Sequence, residues 1–533
     1  MKYQYLLAAA GLCGLLTAAI PFADPSTPVQ SLQLSKTEKL DGTLTLPNEN
    51  TLLFLPNGEK HDVRVLALST TGQKLWESSI VKTHHSLGTI NVWKRAAGGD
   101  MEARSLIQPL QLYSAGNHVL TAEFIGRDNS MRLKEGLLVV QRIDENGRVV
   151  RHDFEQPEPG ARSERTVVGS YADADALYVV AKHSNARQET VAHFLERYDP
   201  VSKTSQQVAL PLPAPYEARD ERTSYPGWIM AGRRGGKTYF YRAVQGKSKK
   251  DNPMKFPVEF EFRLFDNAAQ PVGEFTTQLH QQMQPMTFIN CSGRYAHAPS
   301  QGHAPEIITI RTQRSTTIYD TYDVTASGLA EVYLDPASED VYLLGEYAST
   351  RNNPRAQPFL LGTYIFRLKP DGSVAAMAQS PYPADVAKDS KFLRNSLFDS
   401  RRVFLFVSPA THELLLNIDQ NKRNFLTTYG PDAKLVSQRS AVDMSKGEPI
   451  HNLWLIGSSY AEADNLGFPQ VELPRQYLTA YPQLKALVER TSSPTKAKVE
   501  EVPQYSFRPL PDGQVLVVRT FPKVGSKVEV FVL

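Results

Sequence analysis

Residues 231–238 read AGRRGGKT, the relaxed phosphate-loop pattern that ends in Gly-Lys-Thr. That chemistry needs backbone amides curled around a phosphate at the start of a helix, with the lysine reaching the outer phosphates. The next residues are Tyr239-Phe240-Tyr241-Arg242-Ala243-Val244, aromatic and alternating. That pattern predicts a strand, so a glycine-rich hairpin turn is expected here instead of a nucleotide site.

Cys291, His297 and His303 lie close enough in sequence to form a mixed zinc shell. The Gly-, Pro- and Ser-rich chain between them sets no fixed spacing, so an ordinary loop is expected, with Cys291 a small buried apolar residue. His84-His85 and His280 are scattered elsewhere. Asp173 and Asp175, and Asp335 with Glu339 and Asp340, offer oxygen ligands of the kind calcium takes. Neither group has the spaced ladder of a calcium loop, and acidic turns before an apolar strand are ordinary solvated corners. No Gly-x-Ser-x-Gly elbow and no His-Glu-x-x-His helix occurs. Tyr333, Tyr342, Tyr347 and Phe366 could stack on sugars or peptides, but packing between sheets accounts for aromatic residues on alternating strands. No residue is assigned a catalytic, cofactor-binding or metal-binding role.

The elements that would position any such groups are strands. Residues 364–378, YIFRLKPDGSVAAMA, put Tyr364, Phe366 and Leu368 on one face. They then reverse at Pro370-Asp371-Gly372, which supplies the φ > 0 position of a hairpin. Similar units turn at Thr70-Thr71-Gly72, Asp144 to Gly147, Asp199-Pro200, Asp266-Asn267, Ser327-Gly328 and Pro431-Asp432. Each unit comes after one strongly apolar strand. A sheet this small cannot bury both faces alone and must stack on its neighbours.

Two C-terminal strands, 513–520 and 527–533, have no hairpin partner, and neither does SLQLS near the N-terminus. Joining them adds a sheet made from both ends of the chain and removes the open edge of a ring. The expected fold is all-β: a single β-propeller of about eight blades, with seven the alternative, over residues 24–533. Two stretches break the rhythm, 385–400 and 471–491. The second has Tyr477, Tyr481, Leu484 and Leu487 at helical spacing, with Pro482 in a first turn or kink. Both are expected to be helical insertions on the rim.

The chain has 533 residues, 41% hydrophobic and 22% charged, with 23 Tyr and 23 Phe, which is ordinary soluble composition. Fifty-nine Lys+Arg against 56 Asp+Glu leave a net charge of +3. The densest basic piece, Lys247-Ser248-Lys249-Lys250, is too short for a counterion-releasing face, so nucleic acid is excluded as a partner. Residues 1–23 read as a signal peptide: Lys2, an apolar run from Leu6 to Ile20, then small residues at Ala18, Ala19 and Ala23. Leu12 directly before Cys13 departs from the lipoprotein signal, so the expected product is a periplasmic or secreted chain with no membrane span and no lipid anchor. Removing Cys13 leaves Cys291 alone, which rules out an intramolecular disulfide.

The hairpins resemble β-propeller blades generally. Residues 67–77, ALSTTGQKLWE, are similar to the motif of quinoprotein and outer-membrane-assembly propellers, in which Thr-Gly and a later Trp staple neighbouring blades; Thr71, Gly72 and Trp76 occupy those places. This resemblance implies a fold and names no cofactor, because propellers host many functions. Two functional classes are compatible with it. One is a non-enzymatic binding or scaffold protein, expected to be monomeric, that holds a peptide, glycan or envelope partner on a propeller face. The other is a hydrolase or lyase acting on extracellular polymer at the channel mouth.

Overall fold

The computed structural model describes residues 27–40, 42–57, 62–82, 90–95, 101–107, 110–125, 136–157, 163–173, 175–185, 190–213, 228–245, 258–277, 287–288, 329–335, 338–348, 360–384, 401–407, 412–420, 423–440, 453–456, 470–472, 481–491, 503–510, 512–521 and 527–533. Their strands form seven sheets. The first blade is a meander of Gly42–Thr45, Thr51–Pro56, Asp62–Leu68 and Lys74–Val81. The second runs Gln111–Ala115, His118–Ile125, Leu137–Ile143, Val149–Glu155, and the third Ser163–Asp173, Ala176–Asn185, Thr190–Asp199, Thr204–Leu210. The fourth comprises Ile229–Arg234, Lys237–Gln245, Val258–Phe265 and Pro271–Thr276, and the fifth Leu329–Leu334, Val341–Ala348, Leu360–Leu368 and Val374–Pro381. The sixth is Arg401–Val407, Leu414–Gln420, Arg423–Tyr429 and Leu435–Ser440.

The seventh blade differs. Leu453–Ile456 runs parallel to Gln504–Pro509, which continues into Val515–Thr520 and Lys527–Val532. Gln30–Gln33 then pairs antiparallel with Lys527–Val532, so both chain ends share one sheet as expected. Blades meet in sequence around a ring. The first strands of blades two and three, three and four, four and five, and five and six touch, and Gly42–Thr45 touches Leu453–Ile456. Leu415 of blade six packs with Phe507, Val517 and Phe531 of blade seven. The molecule is a seven-bladed β-propeller.

Seven is the lower of the two expected counts. The higher count gave the Ser327-Gly328 turn a blade of its own. Instead Leu329–Leu334 pairs with Val341–Ala348 and is the innermost strand of the blade that ends in the Pro370-Asp371-Gly372 hairpin. The residues before it, 289–328, lie outside the described set, as do residues 1–23, where a signal segment is expected, and the stretch 385–400. Of the expected helix over 471–491, residues 473–480 lie outside the described set, and the described part is helical only toward its C-terminal end. The helix spans Pro482–Thr491, and Pro482 opens it because a first-turn residue needs no amide donor. Val471 belongs instead to the short strand Gln470–Glu472, paired with Leu453–Ile456. No helix among the described residues is long and apolar enough to cross a membrane.

Position within a blade explains the sequence pattern. Thr51–Pro56 is buried throughout because middle strands pack on both sides and read as continuous apolar runs. The outer strand Lys74–Val81 alternates, with one face in water. Each seam has its own apolar core. Val63, Val65 and Ala67 meet Val119 and Ile143 between blades one and two, and Leu53, Leu66 and Leu68 meet Leu516, Val518 and Val530 between blades seven and one.

Six of the hairpins share one turn. In Asp144–Arg148 the Gly147 amide donates to the Asp144 carbonyl, and the Asp144 amide donates to the Arg148 carbonyl. The Asp144 carboxylate accepts from the Asn146 and Arg148 amides, an Asx-type corner that pre-forms the reversal. The same backbone bonds recur at 69–73, 266–270, 369–373, 430–434 and 510–514. The seat with positive φ holds Gly72, Gly147, Gly372 and Gly513, but Ala269 (φ 61°) and Ala433 (φ 62°) in two turns. An alanine there carries a left-handed strain of about 1–2 kcal/mol. Ala433→Gly is therefore expected to raise the urea midpoint, by roughly 0.5–1 kcal/mol of stability after the extra chain entropy of glycine is subtracted.

Candidate functional site

The meander sends its connections to two ends of the ring, and the two ends differ. In blades one to six the first-to-second and third-to-fourth strand connections share one end and are short, as at 116–117, 235–236, 335–340, 144–148 and 369–373; in blade seven, where Leu453–Ile456 runs parallel to Gln504–Pro509, the long connection 457–503 leaves from that same end. Blade-to-blade and second-to-third connections leave from the other end. Many of these are long, as at 126–136, 211–228, 246–257, 277–328, 349–359 and 382–400. Two extra elements join there. The hairpin Ile90–Arg95/Met101–Ile107 attaches through Ile107 opposite Ile125, and Thr287–Phe288 pairs with Tyr347 and Ala348.

The charged residues singled out by sequence fall at the short end, where they bind blades together. Residues 231–238 form a hairpin, with Gly235 and Gly236 at φ 56° and 75° and no helix after them, in agreement with the turn reading. The Arg233 guanidinium donates to Asp173 at 2.6 Å and to Asn267 at 3.1 Å, and lies 4.9 Å from the centre of the Tyr171 ring. Burial pushes the Tyr171 hydroxyl up to about 12. Asp175 pairs with Arg142 of the second blade at 2.7 Å. Arg234 crosses to the fifth blade and donates to the carbonyls of Asp335, Ser338, Glu339 and Asp340 at 2.6–3.2 Å. A guanidinium thus sits among the oxygens that a calcium ion would have used. The Asp340 carboxylate accepts from Arg367 at 2.6 Å, and that of Asp335 from Ser338 at 2.6 Å. The Arg508 guanidinium donates to the Glu49 carbonyl between blades seven and one. Tyr342 donates to the Pro431 carbonyl between blades five and six.

Tyr333, Tyr342 and Phe366 are buried, with the Tyr333 and Tyr342 rings 5.8 Å apart, so their area goes into the core. The side chain of Tyr347 and the residues Cys291, His297, His303, His84, His85 and His280 lie outside the described set.

Toward the other end the seams carry buried ionic groups that sequence reasoning missed. Arg165 on the first strand of blade three donates to both oxygens of Glu196 on the third strand, at 3.2 and 2.5 Å. The Tyr198 hydroxyl donates to Glu196 at 2.8 Å and the Gln207 amide donates to Glu196 at 3.2 Å, while Gln156 accepts from Arg165 at 2.7 Å. The two charged side chains are 8% and 1% exposed. Burial alone would pull the Arg165 guanidinium down, but the hydrogen bonds and charge of Glu196 outweigh it and hold the cation. Burial, with the Glu196 charge behind it, pushes the Tyr198 hydroxyl well above its ordinary value. In blade four, Arg242 donates to Glu261 at 2.7 and 2.9 Å, and Arg263 donates to the other Glu261 oxygen at 2.7 Å. Arg242 lies 4.4 Å from the Trp228 ring centre, and the Trp228 indole donates to the Pro213 carbonyl at 2.9 Å. His193 is buried beside these seams, and burial, then the nearby Lys182 charge, pushes its imidazole down to about 4. The available signal was a charge inside an otherwise alternating strand, as in 190–199 (TVAHFLERYD) and 258–265 (VEFEFRLF).

Chemically, these groups are bases and cations already matched to one another. The described carboxylates with displaced titration are all held below the ordinary range. A hydrogen bond from Lys74 does this for Glu77, and one from Ser373 for Asp371. Burial pushes Glu529 up, but bonds from Lys527 and Arg519 outweigh it.

No family model matches the chain, and no curated protein sequence does either. Several solved structures are similar in fold. The α-L-arabinofuranosidase Arb93A of Fusarium graminearum is 11% identical, covering 78% of this chain and 99% of that one, with a TM-score of 0.31. The β-propeller domain of the trilobed protease of Pyrococcus furiosus is 7% identical, covering 93% and 94%, with a TM-score of 0.30. The polysaccharide lyase Uly1 is 7% identical, covering 92% and 89%, with a TM-score of 0.33. At these values none of them carries an activity over to this chain.

Proposed function

We propose that this propeller is an exported binding protein that holds a glycan, peptide or envelope partner on the end from which the long connections leave. The observation behind this reading is the asymmetry of the ring. In blades one to six one end carries short turns whose arginines and carboxylates are bonded across blades, with the connection 457–503 of blade seven as the exception. The other collects the long connections and the added strands Ile90–Arg95, Met101–Ile107 and Thr287–Phe288. Binding surfaces are carried on connections that a rigid scaffold positions. The buried pairs Arg165–Glu196 and Arg242–Glu261 brace the strands that feed them.

The test is to incubate the purified chain, lacking residues 1–23, with immobilised polysaccharides and with envelope fractions. Retention without new reducing or unsaturated chain ends is the expected result. Release of such ends would replace the binding reading with the hydrolase or lyase reading. Exchanging residues 246–257 for a two-residue turn should abolish retention and leave the melting temperature near that of the parent.

A further inference from the structure

We propose that the seam between blades three and four is a proton-sensitive joint, with His193 as the group whose charging parts the two sheets. His193 is 4% exposed, and its Nε2 is buried with no hydrogen-bond partner among the described residues. It stands opposite Lys182 on one neighbouring strand and Leu210 on the other. Two residues along the same face, Leu195 packs with Val180, Leu210, Trp228, Met230 and Phe240, which together form the seam. A neutral imidazole fits that setting. An imidazolium must bury a second N–H without an acceptor, beside an ammonium.

The charged groups around it offer little compensation. On its own blade, Arg197 and Asp199 are bonded to each other at 3.0 Å, and Glu164 sits at the register position opposite Ser184. The fourth blade brings Arg242, Arg263 and Glu261, and both Glu261 oxygens already accept from those two arginines.

Linkage sets the sign. In the parted seam the imidazole is solvated and takes up a proton at about pH 6.5. In the closed seam it does so only at about 4. Between those values the parted form binds the extra proton, so its population rises about tenfold for each pH unit lost, and it levels off once the closed form is protonated too. The seam leads directly into connection 211–228 at the long-connection end. Acid therefore loosens the face opposite the latched one, whatever that face holds.

Hydrogen exchange of the full chain, followed by mass spectrometry and corrected for intrinsic rates, tests this at neutrality and at about pH 5. Peptides covering 190–199 and 237–245 are expected to exchange at least about tenfold faster in acid, while the 515–520 strand stays unchanged. His193→Phe should abolish the rise. Lys182→Met should reduce it, because the charge that helps keep the closed form deprotonated is gone. An equal acid response in His193→Phe and the parent, or none in the parent, overturns the proposal. If His193→Phe fails to fold, Lys182→Met decides: an undiminished rise counts against His193.

Discussion

Glu196→Ala is expected to cost about 3–5 kcal/mol, the usual penalty for removing one partner of a buried ion pair. Glu196 is the hub of a network. It accepts twice from Arg165 and once each from Tyr198 and Gln207. Cutting it out strands a guanidinium that is 8% exposed. The position lies in the seam where Leu177, Val179 and Tyr198 of blade three meet Leu138, Val140 and Phe154 of blade two, so the stranded cation stays largely shielded from water unless the two sheets part. Urea unfolding of the single variants and of Arg165→Met/Glu196→Leu separates two accounts. If the cost is the uncompensated charge, Arg165→Met and Glu196→Ala are each severe, while the paired apolar replacement recovers most of the loss. If the network contributes mainly through its own attraction, the double replacement is as unstable as the worse single one.

This network also marks where a linear reading stops. The Asp144 and Asp371 corners were legible because they are local: a carboxylate, its own amides two to four residues on, and a glycine at positive φ. Ring closure was legible from strands left without partners at both ends, and Gln30–Gln33 does pair with Lys527–Val532. The blade count overshot because alternation identifies a strand without saying which sheet it joins. Leu329–Leu334 carries the right pattern for a hairpin of its own and instead fills the inner seat of the next blade. Asp173, Asp175 and Asp340 were visible as acidic turns, but their partners Arg233, Arg142 and Arg367 come from other strands. Arg165 and Glu196 are brought together only by the order of strands within a blade. An arginine in an apolar strand shows that a partner is needed but gives no clue to which carboxylate supplies it.

Trp76 offers one stapling contact legible from a motif: its ring lies 2.9 Å from where a Cβ on Gly147 would stand, and Ser78 donates to the Gly147 carbonyl. Other seams use the same joint without tryptophan. The Cβ position of Gly72 comes within 3.1 Å of Val530, and that of Gly372 within 2.5 Å of the Thr276 carbonyl oxygen and 3.0 Å of Phe275. Gly147 and Gly372 seat on the outer strand of the blade before them, and Gly72 seats on Lys527–Val532, the strand next to the edge strand Gln30–Gln33. Gly513 sits in the same turn with φ 83°, but a Cβ there would meet nothing within 4 Å among the described residues. The two positions separate backbone strain from blade packing. Gly513→Ala pays only the left-handed conformation, about 1–2 kcal/mol. Gly372→Ala adds a collision with a backbone carbonyl that cannot rotate away, for a total of about 3 kcal/mol or more. Urea midpoints of the two variants should therefore differ by at least about 2 kcal/mol in stability, with faster exchange of the amides in Pro271–Thr276 for Gly372→Ala only. Equal losses would mean that the turn is strained but that the blades do not lean on it.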